Sequence, residues 1–225
     1  VAHLTGPTDT YQLKNGTQIP IMAFRATDDE TLRQAQTAGF THFVITGPDD
    51  LVPAAPTATR TVLGEAVTQV ATLTPTLTIP APTAPNTPAS AAAPVVWRQL
   101  DLLHQDAAGR AHDRDAGQVT LVTDLFFNGQ LNQLKPLRKM AARFQKLPEQ
   151  LALRWALERG LLPVVDSQWL TPAQATAIFD FELSFQDMQV LDALDGRIFK
   201  PSRYQIPAAE RAATHRKENE ANHHD

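Results

Sequence analysis

Near its start the chain alternates apolar and polar positions with period two, whereas toward its end apolar positions recur every three or four residues, and this change of rhythm lays out its elements. Residues 11–19, YQLKNGTQI, hold Asn15 and Gly16 between two short alternating runs. That pair accepts the positive φ angles of a tight turn, so the stretch predicts a β-hairpin. Residues 21–24 read as a short apolar strand. Residues 28–38 read as a helix with acids in its first turn and Gly39 just past its end. A second strand is predicted over 40–45, and a second helix over 59–69 with Val62, Ala66 and Val70 on one face. The order β, α, β, α implies a parallel sheet.

Between residues 72 and 94 six prolines interrupt a run of Thr and Ala, which reads as a loop with one edge strand around Leu77. Two more strands are expected, over 97–104 and over 119–125 after Gly117. Leu134, Leu137, Met140, Ala141 and Phe144 then recur at helical spacing, and Leu151, Leu153, Trp155 and Leu157 repeat the arrangement between Pro148 and Gly160. A buried strand follows over 161–165. Thr171 caps a further helix, and Ser184 caps another with Asp187 three residues on. We read residues 1–206 as one domain, with 72–96 as its loop, and the charged residues 207–225 as a flexible tail.

Composition narrows the function. At 225 residues and 43% apolar content the chain can bury one substantial core. The absence of cysteine excludes disulfides and thiolate chemistry and fits a reducing compartment, so a cytoplasmic location is expected. No apolar run is long enough to span a membrane. A net charge of −4 gives no general attraction for nucleic acid or acidic lipid, which leaves small molecules or proteins as expected partners. His215, His223 and His224 near the terminus read as part of a solvated tail rather than a metal site.

Several motifs in order resemble the aldo-keto reductase family. KNG followed by IPIMAFRA is similar to the family's NNG, IP and GFGT, and AGFTHF to AGYRHI. LDLLH resembles the fourth strand, which ends at the family histidine, and GQVTLVTDLFFN resembles GKVRAIGVSNFN. PEQLALRWALERG and FDFELSFQDM are close to PAQVALRW and FDFELSEEDM. The resemblance implies a (β/α)8 barrel, NADPH or NADH as cofactor and a small carbonyl compound as substrate. It also implies that the sixth and seventh strands, expected between Leu134 and Pro136, are missing. Strand number, tilt and stagger are linked, so the barrel must be incomplete or rearranged. It would then leave sheet edges for a partner or a second copy to cover.

The family donates a proton from a Tyr tuned by Lys and Asp, with a His orienting the carbonyl. Here the two tyrosines are Tyr11 and Tyr204, and no lysine lies between Lys14 and Lys135. Val44 stands where the Asp belongs and Asp49 near the Tyr position, while His104 matches the family histidine. His104 and Asp49 are therefore the candidate catalytic residues, and His42 is read as a packed residue. An ionised Asp49 cannot donate a proton unless burial raises its pKa by several units. At the cofactor positions, Arg25 stands within the altered glycine motif, Leu125 and Phe126 replace the Ser-Asn pair that grips the carboxamide, and Asp166 and Ser167 replace the Lys-Ser that holds the adenosine phosphate. The family's later Arg falls near Gln174. A carboxylate repels a phosphate and would favour a ribose hydroxyl. The resemblance thus implies an oxidoreductase ancestry with impaired or lost catalysis, or else a non-catalytic binding or scaffold protein.

Overall fold

The expected hairpin forms: Thr10–Gln12 (β1) pairs antiparallel with Gln18–Pro20 (β2), and Gly16 between them sits at φ +82°. The computed structural model describes residues 4–14, 16, 18–26, 28–45, 59–62, 76–78 and 94–197. Asp49, Tyr204, the tail and most of the proline-rich stretch lie outside them. After the hairpin come Ala23–Ala26 (β3), Asp29–Thr37 (α1) and His42–Ile45 (β4). Asp28 caps α1 by accepting from the Thr31 amide, and Asp29 and Glu30 complement its positive end.

Where a helix is expected from residue 59, the chain instead forms Thr59–Val62 (β5), and Thr76–Thr78 (β6) follows as the edge strand expected near Leu77. The apolar spacing of Val62, Ala66 and Val70 was outweighed at its start by three β-branched residues in four, which suit a strand between β4 and β6. Val95–Gln99 (β7), Ala107–Asp115 (α2) and Val119–Thr123 (β8) lead to two helices, Lys135–Phe144 (α3) and Pro148–Glu158 (α4). Leu162–Asp166 (β9), Pro172–Thr176 (α5) and Phe185–Asp192 (α6) complete the described chain. Thr171 and Ser184 cap the last two as expected, Ser184 through a capping box with Asp187.

Seven strands form one parallel sheet in the order β6-β5-β4-β3-β9-β8-β7. No strand lies between β8 and β9, and the two pair directly, Leu121 with Leu162 and Val122 with Pro163. The gap left by the missing staves is closed by bringing their neighbours together. Among the described residues no ladder joins β6 to β7, so the sheet is an incomplete, rearranged barrel with two ends. No helix of the described residues is long and apolar enough to cross a membrane.

Alternation along each strand divides the interior in two. Phe24, Phe43, Val122 and Val165 face the helices and join Leu137, Leu151 and Trp155 in the larger core. Ala23, Val44, Leu121, Leu162 and Val164 face the other way, where Leu13 and Ile19 of the hairpin plug the sheet's N-terminal end. On the helix side one ionic link is fully enclosed. Arg98 of β7 donates to both carboxylate oxygens of Asp113 on α2, at 2.6 and 2.7 Å, and Thr120 adds a third donor.

His42 is a packed residue, as expected, fully buried with Pro20's carbonyl as a partner. Burial lowers its pKa from 6.5 to about 3, and the hydrogen bond to Pro20 offsets this only in part. Below about pH 6.5 the unfolded chain takes up a proton here that the folded protein refuses until about pH 3. Stability is therefore complete above that window and falls with pH inside it, by about 1.4 kcal/mol per pH unit from this site. Denaturant midpoints should show that slope, and His42→Gln should flatten it; an unchanged slope in the variant would assign the effect elsewhere.

Candidate functional site

Functional side chains of a parallel α/β sheet gather beyond the carboxyl ends of its strands. Alternation sends Arg25 of β3 and Asp166 of β9 to the inner face at that end, directly opposite each other in the ladder. They form an ion pair, Nη1 to Oδ2 at 3.3 Å, with each side chain about three-quarters buried. The other Asp166 oxygen accepts from the Gln168 amide at 2.9 Å, and its carbonyl accepts from Trp169 and Leu170, closing the turn after β9. Both carboxylate oxygens are committed within the protein. The Arg25 Nε is buried without a partner among the described residues.

Ser167 lies half-buried in the same turn. The turn brings Trp169 against Gly129, so closely that a Cβ on the glycine would stand 2.1 Å from the indole; with φ at +72°, the position favours glycine on both counts. Arg25, Asp124, Phe126, Asn128, Val164, Asp166 and Trp169 line what space remains, a cavity of about 30 Å3. That volume suits a single water. Leu125 and Phe126 are buried, and the loop around them keeps Asp124, Phe127 and Asn128 at φ +64°, +48° and +49°. Backbone in that region costs on the order of 1 kcal/mol for each such residue.

His104 does not end a strand. β7 stops at Gln99, and Asp101 then captures the Leu103 and His104 amides on one oxygen, at 2.6 and 3.1 Å, which turns the chain before the histidine is reached. The other Asp101 oxygen lies 3.0 Å from His104 Nδ1. With its ring fixed by that carboxylate, the imidazole presents Nε2 outward, and its side chain is 69% exposed. Its ring centre is 6.3 Å from that of Phe127. The ring is thus positioned by Asp101, and neither Arg25 nor Asp166 shares a contact with it. Sequence reasoning missed Asp101, although its spacing of three residues from the histidine is visible in LDLLH; it also missed Trp169 and Asp124, which carry no local signal.

Tyr11 stands at the other end of the molecule. Its hydroxyl donates to the Leu161 carbonyl at 3.0 Å, just before β9 begins, whereas His104 lies past the end of β7. Burial, and then the charge of Glu158, raise the phenol's pKa further above its ordinary value. Val44 is completely buried in the inner apolar cluster. Among the described residues no three His, Asp or Glu side chains gather as metal ligands.

Solved proteins share this architecture. A mutant of Gox0644 in complex with NADPH matches with a TM-score of 0.67 at 15% identity, over 86% of this chain and 97% of that one. An aldo/keto reductase from Brucella melitensis matches with a TM-score of 0.64 at 15% identity, over 84% and 100%. The fold is that of the aldo-keto reductases. Sequence likeness to aldo-keto reductases is confined to a short stretch: aldo-keto reductase family 1 member C18 of Rattus norvegicus is 39% identical over 57 residues, which is 25% of this chain and 18% of that protein. An uncharacterised oxidoreductase of Caenorhabditis elegans is 36% identical over 62 residues, 27% and 19% of the two chains. The matched stretches thus span about a fifth of the length of these curated relatives. No family model matches the chain.

Within this aldo-keto reductase fold, the close approach to Gly129 places Trp169 at the wall of that small cavity. Gly129→Ala should displace the indole and destabilise the protein by about 1–3 kcal/mol, through steric overlap and the left-handed backbone together. Thermal melting and a changed tryptophan emission report this; an unaltered emission would show that the ring does not rest there.

Proposed function

We propose that this chain is an aldo-keto reductase-like protein, by resemblance an NADP-dependent carbonyl oxidoreductase, in which catalysis is impaired or lost. The observation that carries this reading is the place of Tyr11, whose hydroxyl is committed to Leu161 at the end of the sheet opposite His104. Reduction of a carbonyl needs hydride from a nicotinamide and a proton for the developing alkoxide. Such a donor contributes about 10²–10⁴-fold to rate. Among the described residues the oriented His104 would be the proton source on this rim; Asp49 and Tyr204 lie outside them.

The cofactor carried by the Gox0644 complex, NADPH, is the group this fold implies. The described residues do not fit it as they stand. Leu125 and Phe126 offer a carboxamide no side-chain hydrogen bond, and Asp166 in the place of a lysine opposes a 2′-phosphate. The reading extends to a cytoplasmic protein acting, if at all, on a small carbonyl compound, with one domain over residues 1–206 and a tail over 207–225. Titration with NADPH and NADH, followed through tryptophan fluorescence, and cofactor oxidation with a broad aldehyde panel test it. The expected result is a folded protein without detectable turnover. Turnover that His104→Ala abolishes would overturn it.

A second reading, a non-catalytic scaffold that pairs through its incomplete barrel, draws on the two ends of the sheet, β6 and β7, which no ladder joins among the described residues. Light scattering should then give a dimer or larger species; a strictly monomeric, compact particle would count against it.

A further inference from the structure

A second, larger cleft opens at the opposite end of the sheet, with a volume of about 440 Å3. The hairpin, one side of α2, the turn into β8 and the turn after α4 enclose it, and Arg110, Arg114, Glu158 and Arg159 are its charged walls. Two of these charges are already cancelled. Arg159 holds both oxygens of Asp192, and Glu158 pairs with Arg154 at 2.8 Å.

Arg110 and Arg114 are not cancelled in the same way. They stand one helical turn apart on α2, so they share a face. Arg114 has Asp115 at 3.9 Å, with both side chains at least three-quarters exposed, which is a contact of little energy. Arg110 donates Nε to the Gln105 carbonyl at 2.6 Å and lies 5.4 Å above the Trp155 ring; among the described residues no carboxylate is within ion-pair distance of it. Burial, and then the neighbouring Arg159, lower its pKa from the ordinary guanidinium value, while the more distant carboxylates of Asp192, Asp195 and Asp106 act the other way. A third cation comes from the hairpin. The Lys14 chain lies across Gly117, with Nζ 3.0 Å from where a side chain on that glycine would begin. Among the described residues it has no acidic partner either.

Compensation of a helix's negative end accounts for Arg114, in the last turn of α2. It accounts for neither Arg110 in the middle of that helix nor Lys14 from a separate element. The cleft is of the size that small ligands occupy. We propose that it binds a doubly charged oxyanion of the phosphate-monoester class, held by the guanidinium forks of Arg110 and Arg114 with Lys14 at the rim. The proposal is independent of any redox activity.

Inorganic phosphate and sodium acetate, titrated into the full chain at constant ionic strength near pH 8, are the probes. Phosphate should raise the melting temperature in a saturable way and acetate should not, since one that binds only the folded state stabilises it by mass action. Arg114→Glu, at an exposed position, should keep the circular-dichroism spectrum of the parent and weaken phosphate binding about tenfold or more, measured by calorimetry. Lys14→Gln should weaken it several-fold. Phosphate that stabilises no more than chloride, equal binding of acetate, or an Arg114→Glu protein that binds phosphate as the parent does would each overturn the proposal.

Discussion

The direct pairing of β8 with β9 is the constraint on which the rest of the molecule depends. It spans two residue pairs, and one of the four residues, Pro163, has no amide to donate. Such a short ladder cannot hold two halves of a sheet by hydrogen bonds alone. Packing does the larger share: Leu121, Leu162 and Val164 meet Leu13 and Ile19 on one face, and α4, buried over almost its whole length, backs the joint on the other. Trp155 reinforces it by donating its indole to Asp192 on α6 at 2.9 Å. The sheet survives the loss of two staves because the apolar surfaces on either side of the break are complementary.

Much of this was legible in the chain. The hairpin, α1, α4, β9 and the Thr171 and Ser184 caps were foreseen because each rests on local chemistry: a turn pair, a capping oxygen, a proline in a first turn, an unbroken apolar run. What was not legible depends on partners. The helix-like apolar spacing of Val62, Ala66 and Val70 begins in a β-branched run at residues 59–62, and only β4 and β6 on either side settle the conformation of that run. The end of β7 at Gln99 was hidden because LDLLH looks like continuous strand until one sees Asp101 holding two amides.

The candidate site divides along the same line. The departures from the aldo-keto reductase motifs at positions 25, 44, 125, 126 and 166 could be read directly, and Val44, Leu125 and Phe126 are buried as apolar residues should be. That Arg25 and Asp166 satisfy one another could not, because it needs β3 and β9, far apart in sequence, to lie in register. Two charges that each look out of place in the sequence together become an internal bond. Asp49, the other catalytic candidate, lies outside the described residues and stays an expectation.

Three residues of one loop, Asp124, Phe127 and Asn128, hold left-handed backbone without being glycine. Energy stored in this way is recoverable by the smallest of changes, since loss of a single Cβ relieves it. The exit from β8 therefore keeps a reserve of stability that a glycine at one of these positions would release.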